Sequence, residues 1–79
     1  MPARSLEAVM LRNIRKRLGI HQKEMSRIFG VGENMIYLWE NDKCQIRAAT
    51  LIMIVEYYSL NFQVELNRAR DEINRTSAR

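Results

Sequence analysis

The chain has 79 residues, with 13 Lys and Arg side chains against 9 Asp and Glu, a formal net charge of +4 and 47% hydrophobic residues. This length allows one domain, predicted over residues 1–79, and the single cysteine and single histidine exclude an internal disulfide and a four-ligand zinc site. We therefore expect no enzyme, no cofactor and no metal, and a small core that gains stability from a partner subunit.

The first predicted helix spans residues 5–17. Its apolar residues recur at spacings of three and four, which is the period of one helix face. Ser5 is the predicted N-cap and Gly19 the predicted end, since a serine hydroxyl satisfies free amides and glycine readily adopts the left-handed conformation. The apolar set is Leu6, Val9, Met10, Ile14 and Leu18, and the opposite face carries Arg12, Lys16 and Arg17.

Two short helices are predicted next, over residues 22–29 and 33–40. Gly30 ends the first of them, and Gly32 is the predicted N-cap of the second, so that Glu33 would face the positive end of the helix dipole. Two short helices across a glycine-containing turn form a helix-turn-helix. The residues of helix 2 predicted to face inward are Met25, Ile28 and Phe29.

A fourth helix over residues 47–58 is apolar on nearly all sides, and a fifth over 62–74 has apolar residues at spacings of 4, 3 and 4. So short a chain has too few neighbours to bury both helices, so we expect a subunit interface on them. The core domain is then predicted at residues 5–61, with helix 62–74 serving in dimerisation and residues 76–79 frayed. The predicted dimer contacts are Met53, Tyr57, Tyr58, Phe62, Leu66 and Ile73.

The positive charge is concentrated in the first part of the chain. Residues 1–30 carry seven basic and two acidic side chains, whereas residues 31–60 carry two basic and four acidic ones. A basic end favours a polyanionic partner such as nucleic acid, although a solvated basic helix face produces the same pattern. No apolar run is long enough for a secretory peptide or a membrane span, so we expect a cytoplasmic protein.

The helix-turn-helix pattern extends over residues 11–61. The residues that carry it are Arg15, Gly19, Gln22, Ser26, Gly30, Val31, Ile36, Trp39 and Glu40. In this order and spacing the chain resembles the lambda-repressor and Cro-like (Xre-type) helix-turn-helix family. The resemblance implies an all-α, five-helix, lambda-repressor-like fold in which helices 2 and 3 form the motif and helix 3 enters the major groove of double-stranded DNA.

The resemblance assigns base contacts to the first part of helix 3. Asn pairs bidentately with adenine, Glu accepts from cytosine N4, and Leu touches the thymine methyl group. Residues 33–40 contain no Arg, Lys or Gln, which departs from the usual chemistry of recognition helices. An acid here could instead serve only the helix dipole, and the apolar positions could face a partner. The predicted base-contacting residues are Glu33, Asn34, Tyr37 and Leu38.

Phosphate contacts are predicted on both sides of helix 3, at residues that could equally be ordinary solvated side chains. Gln22 matches a family glutamine that touches phosphate and braces the recognition helix. Arg15 and Glu40 match a family ion pair between helices 1 and 3, which would also present Arg15 to a phosphate. The predicted phosphate-contacting residues are Arg15, His21, Gln22, Lys23, Asn41, Lys43 and Arg47.

These features predict a sequence-specific transcriptional regulator, in its simplest form a homodimeric repressor on a palindromic operator. The alternative is an antitoxin-type module of the same fold, which neutralises a partner protein and regulates its own synthesis. An RNA-binding module is less favoured, since the chain lacks the sheet-borne aromatic residues of common single-strand readers. Cys44 and His21 lie in separate segments without triad partners, so catalysis is not expected.

Overall fold

In the computed structural model, which describes residues 4–77, the chain folds into five α-helices and forms no β-strand within that range. The helices are α1 Leu6–Leu18, α2 Gln22–Ile28, α3 Met35–Glu40, α4 Ala48–Tyr57 and α5 Phe62–Ser77. The prediction of an all-α, five-helix architecture is therefore confirmed. None of the described helices is both long and apolar enough to cross a membrane.

Each of the first four helices is followed, one or two residues after its last helical residue, by a residue in the left-handed conformation. In each case the next amide donates to the carbonyl five positions earlier, at 2.9 to 3.1 Å, which is the outer hydrogen bond of a Schellman motif. Glycine occupies two of these positions, as the sequence predicts, while aspartate and serine adopt the same unfavourable backbone conformation in the other two. The four residues are Gly19 (φ 67°), Gly30 (φ 64°), Asp42 (φ 56°) and Ser59 (φ 56°).

Side-chain oxygens cap the first and last helices. The Ala8 amide donates to Ser5 Oγ at 3.2 Å, and this is the cap predicted from the sequence. The Val64 amide donates to Asn61 Oδ1 at 3.0 Å, which fixes the start of α5. Each of the two long helices that pack together, α1 and α5, therefore has a backbone amide of its first turn satisfied by a side-chain oxygen.

The start of α3 differs from the prediction. The Met35 amide closes a tight turn onto the Gly32 carbonyl at 2.9 Å, so the first helical residue is Met35 rather than Glu33. Asn34 consequently holds the N-cap position that the sequence assigned to Gly32, and its carbonyl accepts the first helical bond. Glu33 lies in the turn that precedes the helix.

α1 is the central helix of the fold, because it packs against α3, α4 and α5, while α2 packs against α3. Ile28 is 38% exposed, against the prediction that it faces inward, because Met25 and Phe29 fill the inner side of α2. The buried hydrophobic cluster contains Val9, Met10, Leu11, Met25, Ile36, Ile46, Leu51, Ile54 and Ala69.

α5 is longer than predicted and packs against its own chain. It continues through Ser77, so the predicted end at residue 74 and the fraying of residues 76–77 are wrong, and residues 78–79 lie outside the described range. The apolar face of α5, which has the heptad-like spacing, packs against α1, and Ala69 on this face is completely buried. Four of the predicted dimer contacts pack against this core and are half-buried: Tyr58, Phe62, Leu66 and Ile73.

Three aromatic rings, Phe29, Tyr57 and Tyr58, pack edge to face with centroids 4.9 to 6.0 Å apart. The Tyr58 hydroxyl is buried and has no hydrogen-bond partner among the described residues. Burial raises the pKa of Tyr58 above its ordinary value of 10.0, and the neighbouring Tyr57 and Glu24 raise it further. The fold therefore favours the neutral form of this hydroxyl without satisfying it.

Tyr58→Phe removes the unpartnered hydroxyl and keeps the ring, so we expect the free energy of unfolding at pH 7 to rise by about 1 kcal/mol. Because the pKa of Tyr58 is raised in the folded state, the unfolded chain releases this proton first, and wild-type stability falls as the pH rises above the ordinary value of 10.0. Urea unfolding at neutral pH and above pH 10 measures both effects, and Tyr58→Phe should lose less stability over this range. Tyr57→Phe, whose side chain is exposed, is the control, and an equal gain from it would contradict the role of burial.

Candidate nucleic-acid interface

A buried carboxylate at the C-terminal end of α3 joins three helices. Glu40 is 2% exposed, and Arg15 on α1 donates to it from Nε at 2.5 Å and from Nη2 at 2.9 Å. Gln22, the first residue of α2, donates from Nε2 to Glu40 Oε1 at 3.2 Å. The Arg15–Glu40 ion pair expected from the sequence is therefore present, and Gln22 braces α3 through the same carboxylate.

This arrangement satisfies a charge that is costly to bury. Two parallel hydrogen bonds from a guanidinium to a carboxylate are shorter and stronger than neutral ones, and losing one partner would leave the other charge uncompensated. Arg15 also donates from Nη1 to the Ile20 carbonyl at 3.1 Å. Its guanidinium thus uses three of its five N–H groups to fix the helices, and the phosphate contact predicted from the sequence would use the other two.

The turn before α3 is held by two contacts to Glu33. The Ser26 hydroxyl, on a buried side chain of α2, donates to the Glu33 carbonyl at 3.4 Å. Lys23 Nζ lies 3.2 Å from the Glu33 carboxylate, and both of these side chains are exposed. The sequence predicted that Glu33 would occupy the first helical position, near the positive end of the dipole. Its carboxylate pairs with Lys23 in the preceding turn instead. Because an exposed ion pair contributes little to stability, a phosphate can replace Glu33 on Lys23 at small cost.

The other end of α3 is tied to the start of α1. Asp42, in the left-handed conformation just after the helix, accepts from the Ser5 amide at 2.7 Å and from the Ser5 hydroxyl at 2.6 Å. Aspartate tolerates this backbone conformation better than most residues, because its short carboxylate can form such hydrogen bonds. The sequence analysis did not predict this contact, which joins residues 37 positions apart.

The outer side of α3 presents the predicted base-contacting residues. Glu33 and Asn34 are exposed, Tyr37 is 44% exposed, and Leu38 is half-buried. Asn34 holds the N-cap position, yet its side chain makes no capping hydrogen bond, so its amide is not engaged there. Residues separated by three or four positions share one side of a helix, which places Asn34, Tyr37 and Leu38 on a common face.

Tyr37 also borders a cleft of about 170 Å³ where α3 meets α1. Arg4 and Arg12 line this cleft, and sequence reasoning assigned neither of them to the site. The available signal was that Arg12 lies three residues before Arg15 and therefore on the same side of α1. The complete lining is Arg4, Arg12, Arg15, Gln22, Tyr37, Glu40 and Asn41.

Further predicted phosphate contacts meet at the start of α2. His21, Gln22 and Lys23 line a shallow cleft together with Glu24 and Arg27. Gln22 belongs to this cleft and to the one beside Tyr37, so the two surfaces are continuous. Sequence reasoning missed Arg27, which follows Lys23 by one helical turn on α2.

The remaining predicted phosphate contacts follow α3. Asn41 lines the cleft beside Tyr37, and its side-chain amide donates from Nδ2 to the Tyr37 backbone carbonyl at 2.9 Å. Lys43 and Arg47 are exposed, and Arg47 is the N-cap residue of α4. These two cations lie in neither cleft, and the structure leaves them on the connection between α3 and α4.

The geometry and the comparison with known families agree. A family model described as helix-turn-helix matches residues 11–64, which is more than half of the 79-residue chain. The chain belongs to the lambda-repressor/Xre-type helix-turn-helix family. Searches of curated proteins and of solved structures returned no match. Membership of the family establishes the general function, which is that of a DNA-binding transcriptional regulator.

In this helix-turn-helix protein α2 and α3 form the motif, and α3 holds the position of the family's recognition helix. Recognition helices of this family lie in the major groove with their N-terminal residues toward the base edges. The exposed face of Asn34 and Tyr37 is consistent with that docking. The buried Glu40 carboxylate fixes the angle at which α3 leaves the other two helices.

Glu40→Gln keeps the shape of the side chain and removes the charge, which leaves the Arg15 guanidinium without its counterion. We expect the free energy of unfolding to fall by about 2–3 kcal/mol. Gln22→Ala removes a single hydrogen bond to the same carboxylate, so its expected loss is about 1 kcal/mol. Urea unfolding of both variants measures the difference, and a smaller loss from Glu40→Gln than from Gln22→Ala would contradict this account.

Proposed function

We propose that the protein is a sequence-specific repressor that acts as a homodimer on a palindromic operator and has no catalytic activity. The observation that carries the proposal is the anchored recognition helix. α3 is fixed at its C-terminal end through Glu40 and at its front through Ser26, while Asn34 and Tyr37 stay exposed between these anchors. A reading surface held in this way loses little conformational freedom when it binds.

Base reading is assigned to four residues with different chemistry. The Asn34 amide can donate to and accept from adenine, and the Leu38 side chain can contact a thymine methyl group. The Glu33 carboxylate can accept from cytosine N4 once a phosphate has replaced it on Lys23. Tyr37 borders both the reading face and the basic cleft, so its hydroxyl can reach a base or a phosphate.

Affinity is assigned to the basic and polar side chains around this face. His21, Gln22 and Lys23 would contact one strand from the start of α2, and Asn41, Lys43 and Arg47 the other strand from the connection after α3. Arg12 adds a charge from α1 at the cleft beside Tyr37. Each phosphate that is neutralised releases counterions, so binding should weaken steeply as the salt concentration rises.

Self-association is supported by the outer face of α4. Ile52 is 42% exposed, Met53 61% and Tyr57 59%, which is unusual for side chains of this size. Met53 and Tyr57 lie four positions apart and share one side of α4, and Ile52 directly precedes Met53, so the three side chains form an exposed apolar strip. Two copies joined through such strips would place their recognition helices on half-sites about 34–36 Å apart, one turn of DNA.

Asn34→Ala and Lys43→Ala separate base reading from positioning. The first should relax the preference at one operator position and cost about 1–3 kcal/mol of discrimination there. The second should weaken binding to all sequences alike and reduce the slope of log K against log salt by about one. Selection from random DNA with each variant, followed by salt titrations on the selected site, measures both quantities.

Two outcomes of these experiments would contradict the proposal. If selection with the wild-type chain enriches no sequence, the protein does not read DNA specifically. If Asn34→Ala and Lys43→Ala change preference and salt dependence identically, the assignment of readers and positioners is wrong.

Met53→Glu places a charge in the apolar strip of α4, so we expect the dimer to dissociate and the footprint to shrink from two half-sites to one. Leu18→Glu is the matched control, because Leu18 is also an exposed apolar residue but lies on α1. Sedimentation equilibrium gives the mass, and footprinting gives the protected length. A wild-type chain that is monomeric both free and on DNA would contradict the homodimer.

The same apolar strip would also suit the alternative function, an antitoxin-type module whose α4 holds a foreign protein. That alternative predicts a different result from the mass measurement. An isolated chain that aggregates or unfolds, and that becomes ordered only with a partner protein, would favour the antitoxin-type module over the homodimer.

A further inference from the structure

A second basic surface lies between α1 and α5, away from the recognition helix. It is a groove of about 420 Å³, which we name the α1–α5 groove. We propose that this groove binds an acidic segment of a partner protein, a function beyond operator binding. The residues that line it are Asn13, Lys16, Arg17, Arg68, Glu72 and Arg75.

A buried ion pair fixes one wall of the groove. Arg17 donates from Nη2 to Glu65 Oε2 at 2.7 Å, and Glu65 is only 4% exposed. The other carboxylate oxygen of Glu65 is buried without a hydrogen-bond partner among the described residues. Burying this carboxylate is costly, and its one ion pair holds the Arg17 guanidinium at the groove. Arg17 is therefore oriented before any ligand arrives, with further N–H groups left to donate.

One acidic side chain, Glu72, lines the groove together with the other cations. Lys16, Arg68 and Arg75 are exposed, and none of them forms an ion pair with a residue whose side chain the structure describes. Arg68 and Arg75 lie two turns apart on α5, a rise of about 10 Å, while Lys16 and Arg17 lie on α1. An extended peptide directs alternate side chains to opposite sides, so its carboxylates can reach the cations of both helices.

The composition of the groove argues against a small-molecule pocket. Sites for small molecules are lined mainly by apolar and aromatic side chains, with a few polar groups that set orientation. The α1–α5 groove is lined only by charged and amide side chains, four of them basic and one acidic. Binding here would rest on charge complementarity, which suits a flexible acidic chain and would be sensitive to salt.

The groove and the cleft at α3 occupy different parts of the surface of α1. Arg12 and Arg15 line the cleft at α3, whereas Asn13, Lys16 and Arg17 line the groove. Since an α-helix turns once every 3.6 residues, the middles of these two sets lie roughly a third of a turn apart around α1, with Lys16, one turn after Arg12, at the border between them. An acidic segment would then bind in the groove while a duplex lies on α3.

The test uses the full chain and an octaglutamate peptide, followed by amide NMR. We expect the peptide to shift the resonances of Asn13, Arg17 and Arg68 and to leave Asn34 and Tyr37 unchanged, with the effect lost at high salt. Arg68→Glu should weaken peptide binding about tenfold. Arg70→Glu reverses a charge on the opposite flank of α5 and is the matched control, which should stay within about twofold of wild type. Both variants should retain wild-type operator binding, which separates this test from that of the proposed function.

Three outcomes would overturn the proposal. The first is an absence of peptide-induced shifts in the groove residues, and the second is an equal loss of peptide binding in Arg68→Glu and Arg70→Glu. The third is preferential binding of the groove to a duplex that lacks the operator, which would make it a second nucleic-acid surface. Inorganic phosphate serves as the ion control, and shifts of the same size from phosphate at equal charge concentration would also contradict recognition of a peptide.

Discussion

The fold depends on how one buried carboxylate is satisfied. α3 has only six residues, too few to be stable as an isolated helix, so its position must come from tertiary contacts. Glu40 provides the strongest of these, because the guanidinium of Arg15 and the amide of Gln22 bind its carboxylate from two other helices. α1 carries Arg15 and also packs against α4 and α5, so the orientation of the recognition helix is set by the whole domain.

Local patterns in the sequence predicted most of the fold. The spacing of apolar residues and the two turn glycines identify five helices, because both features act over a few neighbouring positions. The start of α3 was missed since a tight turn at Gly32 and the beginning of a helix look alike in sequence. The contact between Ser5 and Asp42 joins residues 37 positions apart, and Arg4 reaches the site through the same fold, so no local pattern indicates either.

The fifth helix illustrates what periodicity leaves undetermined. A 4, 3, 4 spacing of Phe62, Leu66, Ala69 and Ile73 states only that one face is apolar, and either a second subunit or the chain's own core can cover it. Here α1 covers it, with Ala69 completely buried. Among the described residues, the most exposed large apolar side chains are on α4, where Met53 and Tyr57 are 61% and 59% exposed. Which helix keeps exposed apolar residues depends on how many other helices pack against it in the folded chain. The sequence alone does not give that number.

The hydroxyl of Ser5 links two ends of helices that are distant in sequence. It accepts the Ala8 amide at the start of α1 and donates to Asp42 just beyond the recognition helix. Opening of the first turn of α1 therefore also releases the end of α3, so the two segments belong to one cooperative unit of local unfolding. Amide hydrogens in both segments should consequently exchange with solvent through a shared opening. The stability of the first turn of α1 then also determines how long α3 keeps its folded position.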